Sequence, residues 1–242
     1  MTFDFTPDQQ ALVTRARAAA HQIGDSVAHA IDSLGSIPED VSKALKAQQL
    51  KQVFTDGAMN AVIVLEELAA VSAGLAAHIG FESATGSPDR KTGTPAALAG
   101  LRGSETTLAA VEIGDDTARV KGRLAAAAVA LGIGRAAVAH AVASMKKKNV
   151  KPGPDATVPH WALADGATEV AAARMLTYDA AQSVDRGENA ASIVARALEF
   201  AANAAQQAID AAIRNEGASG YTRGGLLERL SRDARTLQVI LR

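Results

Sequence analysis

The chain has 242 residues, with 25 basic and 26 acidic side chains and a formal net charge of −1. This length is sufficient for one large domain or two modest ones with a buried core. The nearly neutral charge argues against a nucleic-acid-binding protein, which needs a clustered basic surface. The absence of cysteine excludes disulfides, thiolate metal sites and a cysteine nucleophile.

Alanine dominates the composition, with 55 residues, whereas aromatic residues make up only 3%. Alanine is the best helix former and lets helix axes approach closely, so the composition favours a helical bundle. The N-terminus lacks the basic start and apolar core of a signal peptide, and no uninterrupted apolar run reaches about 18 residues. We therefore expect a soluble, cytoplasmic protein that does not bind a membrane.

Helical periodicity runs through the N-terminal third, residues 1–81, which we interpret as a helical domain. The segment Thr6-Pro7-Asp8-Gln9 has the pattern of a capping box and opens a first helix that ends near Gly24. A second helix is predicted over Ser26–Leu34, and a short third one follows Pro38. A long fourth helix is predicted from Ala58 to Ile79.

Residues 82–121 have a different composition, with repeated glycine and proline that break any long helix. Within them, Thr107–Ile113 and Thr117–Lys121 are separated by three turn-forming residues and indicate a small β-hairpin. A two-stranded hairpin is not stable alone, so it would have to lean on the helices. We interpret this region as a connector rather than a domain.

The helical pattern returns in residues 122–242. One helix starts at Arg123 and ends in the lysine triplet Lys146–Lys148, and a proline-rich break follows. Three more helices with short links complete a predicted antiparallel four-helix bundle. Trp161 lies on the apolar face of the second of these helices, so we expect it in the core. The predicted fold class is mostly α.

Several segments of the C-terminal half follow a recognisable order and spacing. They are Ala130–Ala137, Ala162–Asp165, Ala172–Tyr178, Asp210–Ile213, Gly220–Arg223 and Leu227–Arg235. In this order they resemble the C-terminal helical bundle of acyl-CoA dehydrogenases, and Leu65–Ala69 agrees more loosely with their N-terminal domain. The resemblance implies a helical domain on each side of a middle β-barrel, with FAD as cofactor. It also implies α,β-dehydrogenation of an acyl thioester.

The departures from the family pattern affect its chemistry. The middle barrel of the family has on the order of a hundred residues, and the connector here is much shorter. The family's catalytic carboxylate would fall at Leu241, and its alternative position, just before the arginine that opens the bundle, would fall at Gly122. Neither residue is an acid. Arg123 resembles that arginine and is a candidate contact for an acyl-CoA substrate, with a plain helix start as the alternative.

The family's flavin motifs are also altered. Its Arg-x-x-Phe-Gly motif would begin at Lys146, and its Gln-x-x-Gly-Gly turn would begin at Arg214 and keep one glycine at Gly217. The resemblance makes these three residues candidate cofactor-binding residues. The same glycine-rich segment equally fits a helix stop before a new helix.

Other polar residues have simpler interpretations. Glu66 and Glu67 are adjacent on one helix and would not converge on one site, so we expect a solvated face. Arg232 and Asp233 are expected to form a local ionic contact that orders the last helix. The five histidines show no spacing typical of metal ligands. They are His21, His29, His78, His140 and His160.

Three functions remain open from the sequence. The first is a non-catalytic or site-completing subunit of a homo- or hetero-oligomer, with a full-length acyl-CoA dehydrogenase homologue as partner. The second is an active FAD-dependent acyl-CoA dehydrogenase, supported by the family resemblance alone. The third is a helical scaffold that binds an acyl chain or acyl-CoA. An alanine-rich bundle without a covering domain favours an oligomer, since large exposed apolar patches are unusual on monomers.

Overall fold

The computed structural model describes residues 4–34, 37–50, 52–85, 116–148 and 159–240. These ranges contain eight α-helices and no strand. The helices are α1 (Pro7–Leu34), α2 (Glu39–Ala47), α3 (Ala58–Ala69), α4 (Ala73–Thr85), α5 (Asp116–Lys147), α6 (Pro159–Asp185), α7 (Ala191–Glu216) and α8 (Leu226–Ile240). Short 3-10 helices cover Val53–Asp56 and Gly217–Tyr221. The prediction of a mostly α fold is confirmed.

Helix α1 begins at the capping box that the sequence predicts. The Thr6 hydroxyl accepts a hydrogen bond from the Gln9 backbone N–H at 3.2 Å, and the Gln9 side chain accepts one from the Thr6 N–H at 3.1 Å. At Gly24 the backbone turns to φ 65° and ψ 174°, which kinks the helix. The two helices predicted on either side of Gly24 are therefore the two arms of α1.

The predicted continuous helix from Ala58 to Ile79 is divided into α3 and α4. The chain turns after Ala69, and the Ser72 hydroxyl accepts a hydrogen bond from the Leu75 backbone N–H at 3.4 Å. Serine caps a helix start because its short side chain satisfies a free backbone N–H. The continuous apolar pattern concealed this break.

The start of α3 is capped from the C-terminal half of the chain. The carboxylate of Asp185, at the end of α6, accepts hydrogen bonds from the backbone N–H groups of Ala58 at 2.6 Å and Met59 at 2.9 Å. Gly57 precedes them with φ 104°, a conformation that glycine adopts readily. The Asp185 side chain thus connects the end of α6 with the start of α3.

Helices α5 to α8 form the antiparallel bundle that was predicted. Helix α7 packs against α5, α6 and α8, and the C-terminal ends of α5 and α7 meet where Lys148 contacts Glu216 at 2.7 Å. Helix α5 also packs on α3 and α4, so it belongs to the core of both halves. Its length and composition would suit a membrane span, but 72% of its most apolar stretch is buried against the other helices.

Glycines allow the central helices to cross at short distance. A Cβ atom added at Gly132 of α5 would lie 2.5 Å from the Cβ of Ala69 and 2.6 Å from the carbonyl oxygen of Glu66 on α3. These distances are shorter than van der Waals contact, so only glycine fits without a shift of α3. The small residues set the spacing between the N-terminal helices and the bundle.

Two further expectations about the fold are wrong. Thr117–Lys121, predicted as a strand, forms part of the first turns of α5, where it continues the helix packed on α4. Trp161 is 73% exposed rather than in the core, because the face of α6 that carries it points away from the bundle. The other predicted strand, Thr107–Ile113, lies outside the described residues. The division at 81 and 121 stays a prediction, although α4 continues to Thr85 and α5 begins at Asp116.

Candidate functional site

The most densely charged part of the interior is centred on Glu66 and Glu67 of α3. These residues are 1% and 5% exposed, so the expectation of a solvated face is wrong. Helix α3 is enclosed by α1, α4, α5 and α6, and both sides of the helix therefore face protein. A buried carboxylate needs charged or hydrogen-bonding partners, and arginines supply them here.

Glu67 is held between two arginines. Arg17 of α1 donates to it at 2.9 and 3.2 Å, and Arg135 of α5 donates at 2.8 Å to each carboxylate oxygen. Burial alone would raise the pKa of Glu67, but the hydrogen bonds from Arg17 and Arg135 outweigh it and lower the pKa below its ordinary value. Glu67 is therefore ionised at neutral pH.

Glu66 contacts a different set of donors. Arg135 donates to it at 3.0 Å, Arg174 of α6 donates at 3.1 Å, and the Tyr178 hydroxyl donates at 2.7 Å. Burial, reinforced by the nearby Glu66 charge, raises the pKa of Tyr178 well above its ordinary value. The tyrosine is thus a fixed hydrogen-bond donor rather than an acid or base.

We call these six residues the arginine–glutamate junction: Arg17, Glu66, Glu67, Arg135, Arg174 and Tyr178. The junction connects α1, α3, α5 and α6 through side-chain hydrogen bonds between residues up to 112 positions apart. Its carboxylates are surrounded by arginines, which suits a structural contact and not proton transfer. The sequence signal for the junction is Arg135, a single arginine within the apolar stretch of α5. The second part of the signal is the pair of acids, Glu66 and Glu67, in the apolar helix α3.

Arg123 lies near the other end of α5, between two surface grooves of about 380 and 490 Å³. The first groove also contains Glu199 of α7 and Leu237 and Gln238 of α8. Gly122, the alternative base position, is buried in α5. Leu241 lies outside the described residues. Glu199 is an acid in this groove that the sequence patterns did not single out.

The three candidate cofactor residues lie at the opposite end of the bundle. Lys146 is exposed in the last turn of α5, Arg214 is exposed in the last turn of α7, and Gly217 follows α7 with φ 73°. The positive φ supports the helix-stop interpretation of this glycine. Between the two helix ends, the Lys148 ammonium and the Glu216 carboxylate form an ion pair at 2.7 Å.

The groove at this end has an acid, Glu216, where the pyrophosphate of a flavin dinucleotide would need a cation. Such a group needs unpaired cations or backbone N–H donors. Here Lys148 is paired with Glu216, and the Nε2 atom of His140 lies 3.6 Å from the same carboxylate. A hydrogen bond from Lys148 and one from Ser144 lower the pKa of Glu216, so the carboxylate stays negative at neutral pH.

A second charged cluster joins α8 to α1. Arg232 contacts Glu228 on its own helix at 2.8 Å and binds Asp32 of α1 with two hydrogen bonds of 3.0 and 2.7 Å. The ionic contact expected between Arg232 and Asp233 is therefore wrong, because these two other acids take up the guanidinium. Asp233 is buried, and its Oδ1 atom has no hydrogen-bond partner within the described ranges. Burial, followed by the nearby Asp32 charge, raises the pKa of Asp233 to about 7.

In the part of the chain that the structure describes, no group of three or more histidines and acids is arranged to bind a metal ion. His140 contacts Glu216, and His78 lies 3.6 Å from Glu82 one helical turn away. Each contact is a pair, whereas a metal site needs a convergent set of ligands.

Comparison with known proteins shows which family the C-terminal half of the chain matches. A family model described as the C-terminal domain of acyl-CoA dehydrogenase matches residues 118–240. An acyl-CoA dehydrogenase of Bacillus subtilis (strain 168) is 40% identical over 120 residues, which are 49% of this chain and 32% of that protein. The alignments to such curated relatives thus cover about a third of their length.

Solved structures extend the similarity in fold to the whole chain. Butyryl-CoA dehydrogenase from Megasphaera elsdenii superposes with a TM-score of 0.77 at 16% identity, covering 99% of this chain and 95% of that one. The ChsE4-ChsE5 complex from Mycobacterium tuberculosis gives a TM-score of 0.73 at 14% identity, covering 100% and 95%. At these identities the similarity concerns the fold.

Proposed function

Because the chain belongs to the acyl-CoA dehydrogenase family, we propose that it is a non-catalytic or site-completing subunit of an acyl-CoA dehydrogenase-type oligomer. The arginine–glutamate junction and the bundle give it a stable helical scaffold. At the two positions where the family has its catalytic base, this chain has Gly122 and Leu241, which are not acids. A full-length homologue is the proposed partner and would provide the missing groups.

The observation that carries this proposal is that the residue directly before Arg123 is Gly122 and not an acid. Arg123 lines both grooves at its end of the bundle, but the buried Gly122 has no side chain to place a carboxylate beside a substrate. Removal of an α-proton needs a base within hydrogen-bond reach, which typically contributes about 10²–10⁴-fold to the rate. The other base position in the sequence is Leu241, which cannot accept a proton.

The outer face of α6 supports an oligomer, because it is more apolar than the outer face of the neighbouring helix α7. The outward residues of α6 are mainly small or apolar: Trp161, Ala164, Asp165, Thr168, Ala171 and Ala172. The outward residues of α7 are mainly polar: Ala191, Ser192, Ala195, Arg196, Glu199, Asn203, Gln207, Asp210 and Arg214. An exposed tryptophan among alanines is typical of a surface that a protein partner covers. We propose that α6 is the pairing surface.

The cofactor and location follow from the same proposal. FAD, which the family implies, would be held with the partner rather than by this chain alone, because Glu216 pairs with Lys148 where the ends of α5 and α7 meet. A cytoplasmic location is also part of the proposal. The apolar helix α5 is used inside the fold, which supports it.

Activity of the purified chain tests the catalytic part of the proposal. We expect no acyl-CoA-dependent dye reduction, even with added FAD, and expect activity only with a full-length homologue present. Turnover by the chain without a partner would contradict the proposal and support an enzyme in its own right. In that case Glu199→Gln would show whether the acid in the Arg123 groove is the base.

The pairing surface is tested by sedimentation velocity. A monomer has a mass of 24.8 kDa, and we expect a larger species alone or with the homologue. Trp161→Ala should weaken association at least tenfold, since buried tryptophans contribute strongly to interfaces. Val142→Ala, at a partly exposed valine of α5, is the matched control and should change association little. A parent protein that stays monomeric in both experiments would contradict the proposal.

A further inference from the structure

The C-terminal ends of α5 and α7 meet, and we call this place their shared end. There the carboxylate of Glu216 borders a groove whose other charged side chains include Lys147 and Lys148. The Glu216 side chain is only 11% exposed, whereas its partner Lys148 is 47% exposed. The acid is therefore the inner member of the ion pair, and the lysine folds over it. His140 approaches the other carboxylate oxygen at 3.6 Å.

The groove beside this ion pair has a volume of about 660 Å³, within the range of small-molecule sites. Its walls combine apolar residues with the hydroxyls of Ser144 and Ser219, and Lys147 lies at its edge. With Glu216 present, the two lysines and the carboxylate sum to one positive charge. Without it the same groove would carry two, enough to attract a doubly charged phosphate group.

We propose that Glu216 excludes pyrophosphate-bearing ligands from this groove by acting as an internal anion in their place. The carboxylate uses the Lys148 ammonium, and its negative charge repels a phosphate that approaches the groove. The proposal concerns one residue and its groove. It holds whether or not the chain pairs with a homologue, so it goes beyond the proposed function.

Calorimetric titration with inorganic pyrophosphate and with ADP, at low ionic strength, tests the proposal. Glu216→Gln removes the charge but keeps the size and an acceptor oxygen for Lys148. We expect the parent to give no heat of binding at millimolar ligand, and the variant to bind at least tenfold more tightly. The double variant with Lys148→Gln should lose the gained affinity, because the released ammonium is what binds the phosphate.

Asp210→Asn is the matched control, since it makes the same change of charge at an exposed acid of the same helix. It should bind pyrophosphate no better than the parent. The proposal is overturned if the parent binds as tightly as Glu216→Gln, if the control gains equal affinity, or if a folded Glu216→Gln variant gains none. Circular dichroism melting establishes folding, and Glu216→Ala serves as a second variant if glutamine unfolds the helix end.

Discussion

The arginine–glutamate junction and the shared end of α5 and α7 use the same kinds of side chain in different surroundings. At the junction, Glu66 and Glu67 lie in the last turn of α3 and are enclosed by four helices. At the shared end, Glu216 occupies the last turn of α7 and borders an open groove. Charges that are enclosed by helices hold the helices together, whereas we propose that a charge beside an open groove determines which ligands can enter.

The largest effect is expected from a change at the junction. Arg135→Met should lower the free energy of unfolding by about 3–5 kcal/mol, because Glu66 and Glu67 would stay buried with fewer donors. Urea unfolding measures this. Arg214→Met, at an exposed arginine of α7, should change it by less than about 0.5 kcal/mol. Equal losses in the two variants would remove the distinction between the two regions.

The sequence predicted most of the fold but little of the junction. Alanine content, helical periodicity and the Thr6 capping box identified the helices, because these signals are local. Glu66 and Glu67 were assigned to solvent because adjacent residues point to different sides of a helix. That argument assumes that one side is exposed, and in α3 neither is. Trp161 shows the converse, because its apolar neighbours in the sequence predict a position in the core and the side chain is exposed.

Local sequence patterns also do not predict which side chains from different helices meet at one site. Arg17, Arg135 and Arg174 come from three helices and converge on α3 only after the chain has folded. Glu216 was within the segment that the resemblance compared with a flavin turn, but its contact with Lys148 spans 68 positions. Sequence patterns located Arg123, Lys146 and Arg214, and the structure was needed to show what surrounds them.

A pH-dependent loss of stability is expected from Asp233, whose neighbours are Asp32, Glu228, Arg229 and Arg232. Its folded-state pKa of about 7 lies above the ordinary value, so the folded chain binds a proton that the unfolded chain releases. The contribution of Asp233 to stability is complete below about pH 4 and is lost as the pH rises to about 7. Between pH 5 and 8 we expect a loss on the order of 2–3 kcal/mol.

Unfolding of Asp233→Asn at the two pH values isolates this contribution. The amide cannot ionise, so the variant should fall less in stability between pH 5 and 8 than the parent does. Asp165→Asn, at an exposed position of α6, should keep the pH dependence of the parent. If Asp233→Asn also keeps it, Asp233 does not titrate in this range.

A smaller effect is expected where α3 and α5 cross. Gly132→Ala would place a Cβ atom 2.5 Å from the Cβ of Ala69 and 2.6 Å from the Glu66 carbonyl oxygen, so the two helices must separate. Overpacking of this kind typically costs about 1–3 kcal/mol. Thermal unfolding measures the loss, and a gain from the better helix propensity of alanine would contradict the observed spacing.

The smallest effect tests whether α6 stabilises α3 beyond the arginine–glutamate junction. Asp185→Ala removes the acceptor for the backbone N–H groups of Ala58 and Met59, and loss of such a cap costs about 1 kcal/mol. Asp185→Asn should keep part of this stability, since asparagine is also a good cap. Asp165→Ala, an exposed position on the same helix, should cost less than about 0.5 kcal/mol. Because the cap lies at the first turn of α3 and the junction near its last, independent contributions should add in a double variant with Arg135→Met. A double variant no less stable than Arg135→Met alone would mean that the contact of α6 with α3 depends entirely on the junction.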